Sequence, residues 1–348
     1  MRKRTKEVQL GNVRIGGGNP VSVQSMTTFD PIYVEDTVKQ IKGLEAVGCD
    51  IVRVAVPTIE SAYQLASIMS QISIPLVADI HFNYKLALEA IKQNVDGLRL
   101  NPGNIGNDNK IKEIVLAAKE KSIPIRVGVN AGSLEKELLI KYGAPTAEAM
   151  VESAIRQVSI LEKLNYDKII ISLKASDIKL TTEACEIISH KVDYPLHIGV
   201  TEAGTTWSGT IKSAIGIGHL LLQGIGDTIR VSLTGNPIEE IKVGRQILKS
   251  LGFIKNEITV ISCPTCGRCT VDLITLANEA EKRFENIKKP IKVAIMGCSV
   301  NGPGEAKDAD IGIAGGVSNY VLFKNGKLDR KIDIDKALDV LLDEIDKM

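Results

Sequence analysis

Four of the six cysteines lie close together in the last third of this 348-residue sequence. Cys263, Cys266 and Cys269 are each separated by two residues, and Cys298 follows the next predicted strand. Thiolates in this arrangement can hold a zinc ion or an iron–sulfur cluster. Because a zinc ribbon usually supplies a second CxxC pair, the spacing favours an iron–sulfur cluster, with zinc and incidental packing as the alternatives.

A second set of side chains that could do chemistry consists of cations on predicted strands. Each cation lies between apolar residues on a different strand, and so occupies the face opposite to the apolar one. The five are Arg53, Arg99, Arg126, Lys174 and Arg230. If helices cover the apolar face from outside, the cations point into the mouth of a barrel. With Asp79 and Glu202 as the evident counter-charges, five minus two leaves about three net positive charges there.

This excess of positive charge indicates the kind of ligand. Buried like charges need a counter-anion, and guanidinium groups match phosphate oxygens in a bidentate geometry. We therefore expect a substrate with more than one negative charge, such as a phosphate or diphosphate ester. Glu202, just past the seventh predicted strand, is a candidate general acid. The remaining cysteines and most histidines show no ligand spacing and are interpreted as structural: Cys49, Cys185, His190, His197 and His219.

The elements that must position these side chains alternate regularly along the chain. Eight short β-branched runs are separated mostly by helical segments, such as Glu35–Val47, Asn109–Lys121 and Ala147–Leu164, which predicts a parallel sheet with helical crossovers. Eight such units suit a closed (β/α)8 TIM barrel better than an open sheet. The predicted strands are Val21–Met26, Ile51–Val56, Pro75–Ile80, Gly97–Pro102, Pro124–Asn130, Lys168–Ala175, Pro195–Thr201 and Asp227–Leu233.

The barrel is expected to occupy residues 1–252 and a second domain residues 253–348. Glu7–Gly17 is predicted to form a hairpin that plugs the barrel floor, and the eighth helix, about Pro237–Leu251, ends at Gly252. The remainder has a different order: a strand, the cysteine-rich turn, a helix, a strand, a glycine-rich loop, two strands and a last helix. This order predicts a small α+β domain with its own core.

Charge and hydropathy exclude several classes of protein. Lys and Arg number 43 against 42 Asp and Glu, so no basic surface indicates a nucleic acid or an acidic membrane as partner. Charged residues follow the basic start of the chain where a secretion signal would be apolar, and no apolar run is long enough to cross a bilayer. We expect a cytoplasmic protein whose clustered cysteines are reduced.

Two specific motifs, CPTCGR at Cys263–Arg268 and GCSVNGPGEA at Gly297–Ala306, resemble those of the bacterial 4-hydroxy-3-methylbut-2-en-1-yl diphosphate synthase family. Shorter matches extend over essentially the whole chain, including Arg53–Pro57 and Arg126–Ser133. The resemblance implies reductive ring opening of 2-C-methyl-D-erythritol 2,4-cyclodiphosphate, with two electrons and loss of water, in the non-mevalonate isoprenoid pathway. It also implies flavodoxin or ferredoxin as the electron donor.

The resemblance assigns roles to residues that match the family pattern. A [4Fe–4S] cluster would be held by three cysteines and one glutamate, which fall on Cys263, Cys266, Cys298 and Glu305. Cys269 departs from the pattern and leaves a four-cysteine alternative open. Residues near the substrate would be Arg53, His81, Arg126, Lys174, Arg230 and Ser232, with Asp79, Arg99, Asn101, Asn130, Glu202 and Asn301 as further polar residues of the site.

The path of the chain also predicts a shared active site. Barrel active sites lie at the C-terminal ends of the strands, and the eighth helix runs back toward the floor over roughly 20 Å. The link from Gly252 to Glu257 spans at most about 20 Å, so the second domain reaches the mouth of another chain more easily than its own. A head-to-tail homodimer, which the resemblance also implies, satisfies this constraint.

Two other functions stay open at this point. A pterin- or corrinoid-dependent methyl-transfer barrel would use the same fold but would need no cluster. A zinc-stabilised binding module would use the cysteines, but it would leave five inward cations without a purpose.

Overall fold

The computed structural model describes residues 2–105, 108–285, 287–298, 308–316 and 319–348. The chain divides into two compact units, Met1–Phe253 and Ile254–Met348. The first unit carries the mouth cations predicted from the sequence, and the second carries the four clustered cysteines.

The first unit is a parallel barrel of eight strands, β3 to β10. Neighbouring strands follow the order β8-β7-β6-β5-β4-β3-β10-β9, and a parallel bridge between Ile171 and Leu196 joins β8 to the start of β9. The bridge closes the barrel, which confirms the (β/α)8 prediction. The strands are β3 Ser22–Met26, β4 Ile51–Ala55, β5 Leu76–Asp79, β6 Gly97–Leu100, β7 Ile125–Asn130, β8 Ile169–Lys174, β9 His197–Ile198 and β10 Thr228–Ile229.

Helices surround this barrel, and several are preceded by a residue whose side chain caps the N-terminus of the helix. Thr146 and Asp177 accept hydrogen bonds from backbone N–H groups of the first turn, and Asn236 does so ahead of Pro237. The helices are α1 Val34–Ala46, α2 Ile59–Tyr63, α3 Leu65–Met69, α4 Tyr84–Lys92, α5 Pro102–Ile105, α6 Asp108–Glu120, α7 Lys136–Tyr142, α8 Ala147–Lys163, α9 Ile178–Lys191, α10 Thr206–Leu222 and α11 Pro237–Ser250. Contact between α1 and α11 joins the two ends of this series.

A short antiparallel hairpin, β1 Val8–Leu10 and β2 Val13–Ile15, covers the floor of the barrel as predicted. Its buried side chains pack against Ile51, Val77 and Ile170, which lie at or near the N-terminal ends of their strands. Apolar contacts therefore close this end of the barrel, and the functional site is expected at the opposite, C-terminal end of the strands.

The seventh and eighth strands are much shorter than predicted, with two ladder residues each. Gly199 explains where the ladder stops, because a Cβ atom there would collide with the carbonyl oxygen of Arg230 and lie 3.1 Å from Lys174 Nζ. Only glycine allows the two segments to approach so closely. The strand ends therefore turn into irregular backbone at the mouth.

The second unit contains a five-stranded sheet of order β11-β12-β13-β14-β15. Its elements are β11 Thr259–Ser262, α12 Leu273–Phe284, β12 Lys292–Met296, β13 Ile311–Gly315, β14 Tyr320–Lys324, β15 Lys327–Ile332 and the C-terminal helix Ala337–Asp346. The first three strands run parallel, and β14 and β15 are antiparallel to their neighbours. The edge strand β15 was not predicted, because five of its six residues are exposed and it lacks an apolar face.

Candidate functional site

The carboxylate of Asp79, at the C-terminal end of β5, connects cations from the two neighbouring strands. Its Oδ2 lies 3.4 Å from Arg53 Nε on β4, and its Oδ1 lies 3.1 Å from Arg99 Nη1 on β6. His81 Nε2 is 3.7 Å from the same carboxylate, and its side chain is largely exposed. Asp79 therefore neutralises one charge while it orders two guanidinium groups.

Arg126 on β7 reaches across the interior of the barrel. Its Nη1 donates a hydrogen bond to Gln24 Oε1 on β3, four strands away in the sheet order, so both side chains point inward as the alternation predicts. Arg126 is 5 % exposed, and its Nη2 atom has no hydrogen-bond partner among the described residues. A buried donor without a partner carries a desolvation cost that an anionic ligand would remove.

Lys174 at the end of β8 is likewise buried away from any carboxylate of the described residues. Its Nζ lies 3.1 Å from Nε2 of His197 on β9, while His197 Nδ1 lies 3.4 Å from Thr228 Oγ1 on β10. His197 thus belongs to the site as the neighbour of Lys174. Its interpretation as a structural histidine is therefore incomplete.

Arg230, just past β10, is paired with a carboxylate that was not predicted from the sequence. Glu240 on α11 lies 3.4 Å from Arg230 Nε, and it is almost fully buried. Glu202 is the residue that the sequence predicts as the second counter-charge. The structure places Glu202 in an exposed loop with a positive φ of 51°, without a described ion pair.

A glycine makes room for one of these cations. A Cβ atom at Gly128 on β7 would lie 2.9 Å from Arg99 Nε and 3.2 Å from Arg99 Nη2. The guanidinium of Arg99 therefore occupies the space that a side chain at position 128 would fill.

Burial and mutual repulsion dominate the electrostatics of this mouth. Burial, together with Arg230 and Arg99, lowers the pKa of Arg53 to about 10 in spite of Asp79. Burial and the surrounding arginines lower the pKa of Arg126 and of Lys174 well below their usual values. For Asp79 burial acts upward, but Arg53, His81 and Arg99 outweigh it and hold its pKa well below the usual range. Without a further anion, this cluster of buried like charges lowers the stability of the folded protein.

The other predicted polar residues occupy this end of the barrel with less definite roles. Asn101 is buried, and its Oδ1 accepts a hydrogen bond from Gly103 N–H at 3.0 Å, which stabilises the turn into α5. Asn130 and Ser232 are partly exposed at or beyond the ends of β7 and β10. The predicted residues Asn301 and Glu305 lie outside the described residues.

The cysteines follow the C-terminal ends of two adjacent strands in the sheet of the second unit. Cys263 directly follows β11, and Cys298 lies two residues past the end of the adjacent parallel strand β12. The Gly297 N–H donates to Cys263 Sγ at 3.2 Å, and the Thr270 N–H donates to Gly297 O at 3.1 Å. The cysteine-rich turn is therefore folded against the segment that carries Cys298.

These thiols suit an iron–sulfur cluster by their chemistry. All four are free, and backbone N–H donation to a cysteine sulfur is a usual means of tuning cluster potential. Cys263 and Cys269 both pack against the apolar core, but Cys269 Sγ–H donates to Val271 O at 3.2 Å, whereas Cys263 Sγ accepts from a backbone N–H. Within the described ranges, no three His, Cys, Asp or Glu side chains are already arranged around a metal position.

The fold and these residues define a class, a (β/α)8 barrel with a cationic mouth followed by a cysteine-bearing α+β unit. The sequence matches the model of the GcpE TIM-barrel domain over residues 5–245 and that of the GcpE protein C-terminal domain over residues 259–347. The chain belongs to the GcpE family, and the resemblance inferred from its motifs is confirmed.

Curated relatives share the full length of the chain. It is 61% identical to a protein of Caldanaerobacter subterraneus subsp. tengcongensis, with 100% of this chain and 98% of the relative covered. It is 57% identical to a protein of Clostridium perfringens, with 98% of each covered, and 56% identical to one of Geobacter sulfurreducens, with 100% and 99% covered. All three are called 4-hydroxy-3-methylbut-2-en-1-yl diphosphate synthase (flavodoxin).

Solved structures are similar to the barrel unit of this chain, and they confirm its fold and nothing further. The 3-dehydroquinate dehydratase of Geobacillus kaustophilus matches with a TM-score of 0.50 at 14% identity, covering 72% of this chain and 99% of its own. Dihydropteroate synthase of Stenotrophomonas maltophilia also gives 0.50, at 10% identity, covering 70% and 98%. Likeness at this level shows a shared fold, and the family match disfavours both the methyl-transfer barrel and the zinc-stabilised module.

None of the helices in the described part of the chain combines the length and the apolar character needed to cross a membrane.

Proposed function

We propose that this protein catalyses the reductive ring opening of 2-C-methyl-D-erythritol 2,4-cyclodiphosphate to 4-hydroxy-3-methylbut-2-enyl diphosphate. Two electrons and two protons enter, and one molecule of water leaves. The observation that carries the proposal is the pair of buried cations, Arg126 and Lys174, which have no carboxylate partner among the described residues. The shared activity name of the relatives points to the same reaction.

The mouth residues would bind and orient the diphosphate. Arg126 Nη2 and Lys174 Nζ are the cations that most need an anion, so they are the natural primary contacts for its oxygens. Arg53 and Arg99, ordered by Asp79, would contribute further donors. Opening the ring turns one phosphate diester into a monoester and places new negative charge on the freed oxygen. These cations can therefore both position the diphosphate and stabilise the charge that develops as the C–O bond breaks. We propose that His81, Asn130, Glu202 and Ser232, which lie at or beyond the C-terminal ends of barrel strands and are at least partly exposed, contact the remainder of the substrate.

We propose that Cys263, Cys266, Cys298 and Glu305 hold a [4Fe–4S] cluster. Such a cluster supplies electrons one at a time, and a site with an oxygen ligand can also offer a Lewis acid to a substrate oxygen. Thiol ligands of this kind require a reducing compartment, which suits the cytoplasm. The electron donor would be flavodoxin, as the names of the relatives state for those proteins.

The mouth cations and the cysteines lie on different units of the chain, and we propose that each active site joins the barrel of one chain to the cysteines of another. Arg53→Ala should inactivate the barrel and Cys263→Ser the second unit. Mixed dimers of the two variants contain one intact pair and should recover up to about half of wild-type activity. Activity would be measured after subunit exchange and isolation of verified heterodimers. If these stay inactive while each parent folds normally, the shared site is wrong.

The proposed reaction is tested by anaerobic turnover. Iron-loaded protein, reduced flavodoxin and the cyclic diphosphate should give 4-hydroxy-3-methylbut-2-enyl diphosphate, identified by mass and by phosphorus NMR. Protein stripped of iron is the matched control and should give none. If iron-loaded protein leaves the cyclic diphosphate unchanged while its cluster accepts electrons from dithionite, the proposed substrate is wrong.

A further inference from the structure

Glu240 is a buried carboxylate with every hydrogen-bonding position in use. It lies in the first turn of α11 and is 4 % exposed. Its Oε2 accepts hydrogen bonds from Ser25 Oγ at 2.8 Å and from Arg230 Nε at 3.4 Å. Its Oε1 accepts from Leu233 N–H at 3.0 Å and from Arg230 Nη2 at 3.5 Å. One carboxylate therefore connects β3, the segment after β10 and a mouth cation.

These contacts determine which edge of Arg230 is available. Nε and Nη2 face the carboxylate, while Nη1 faces Met26 Sδ at 3.9 Å. Arg53 contacts the same sulfur, with its Nη2 at 3.0 Å. Two guanidinium groups thus converge on one methionine, and each is held by its own carboxylate, Asp79 for Arg53 and Glu240 for Arg230.

We propose that Glu240 is a positioning residue for the ring-opening reaction, which acts by fixing the guanidinium of Arg230 so that its Nη1, beside Met26, stays available to the substrate at the barrel mouth. The inference rests on the proposed function and adds a residue outside the eight strands to its machinery. Two like charges beside one sulfur would otherwise move apart, because nothing else among the described carboxylates pairs with Arg230.

The role has a kinetic consequence that a structural contact would not have. Loss of the negative charge of Glu240 makes the mouth more positive, so attraction of an anion is kept or increased. Without the paired hydrogen bonds from Arg230 Nε and Nη2 to the carboxylate, the guanidinium can rotate. The bound substrate is then less well placed and turnover slows. Neutralising Glu240 should therefore lower the turnover rate without weakening anion binding.

The test compares Glu240→Gln with Glu239→Gln in the iron-loaded enzyme. Glu239 is on the same helical turn and partly exposed, and its ion pair among the described residues is with Lys242 at 3.6 Å, which makes it a matched control. For Glu240→Gln we expect kcat to fall roughly 10- to 100-fold per folded, cluster-loaded chain, while KM stays within about threefold. The dissociation constant of inorganic pyrophosphate, measured by calorimetry, should not rise. Glu239→Gln should match wild type.

A double-mutant cycle shows whether Glu240 acts through Arg230. In an Arg230→Lys background, which keeps the charge but not the fork, Glu240→Gln should reduce kcat by less than about threefold more. An equal loss in both backgrounds, or a wild-type kcat in the single variant, overturns the inference and leaves Glu240 as a link between elements. Absence of turnover in wild type itself would instead remove the proposed function on which the inference rests.

Discussion

Arg126→Met should give a protein that is more stable than wild type without substrate and at least about 1000-fold lower in kcat/KM. The two effects have one origin, because the guanidinium is buried, repelled by Arg53 and Arg99, and left with an unpartnered Nη2. Such a charge costs several kcal/mol, whereas the lost contact with Gln24 costs about 1 kcal/mol. We expect a net gain of about 1–3 kcal/mol in the free energy of unfolding.

The activity loss should divide between binding and turnover. Without Arg126 the diphosphate loses a contact in the ground state, so KM rises, and it loses alignment, so kcat falls. Steady-state kinetics and unfolding midpoints of the substrate-free protein would measure both quantities. Arg156→Met is the control, because Arg156 is half-exposed on α8 and paired with Glu152. Unchanged KM in Arg126→Met, Arg53→Met and Lys174→Met alike would refute a phosphate site at this mouth.

Cys263→Ser, Cys266→Ser and Cys298→Ser should each lose the cluster and essentially all activity, whereas Cys269→Ser should keep about four irons per chain. The reason is the environment of Cys269, whose thiol donates to Val271 O and lies against Gly297. A Cβ atom at Gly297 would be 2.6 Å from Cys269 Sγ, so this contact is tight. A serine hydroxyl can replace the thiol as a donor there.

Iron and sulfide would be quantified in anaerobically purified variants, with absorbance before and after reduction. Glu305→Ala completes the series, and it should retain the thiolate ligands, change the EPR spectrum and lose most activity. Loss of all iron from Cys269→Ser, with iron kept in one of the other three cysteine variants, would show that the fourth thiolate is a ligand and that our assignment is wrong.

The barrel and its cations could be predicted because they depend on local periodicity. Alternation alone placed Arg126 on the interior face, and the contact with Gln24 across the barrel confirms it. His197 was assigned a structural role because it shows no ligand spacing, although alternation with Ile198 and Val200 would place it on the interior face of its strand. A polar residue on an interior face would have been the signal to use.

Glu240 could not have been found in this way. An acidic residue in the first turn of a helix is common, because it suits the helix dipole, and its sequence context does not reveal that it reaches a strand end. The contact depends on how α11 lies against β3, a matter of tertiary packing. The two-residue strands β9 and β10 have a similar cause, since the close approach at Gly199 outweighs the β-branched residues around it.

The proposed reaction uses two electrons to open a cyclic diphosphate. An anaerobic measurement of electrons consumed for each product molecule tests it most directly. A known amount of reduced one-electron donor would be mixed with excess cyclic diphosphate and catalytic iron-loaded protein, and the oxidised donor and the product would be measured together. We predict two donor molecules oxidised for each 4-hydroxy-3-methylbut-2-enyl diphosphate formed, with no product when iron is absent. Donor oxidation without this product, or product formed without donor oxidation, would contradict the account.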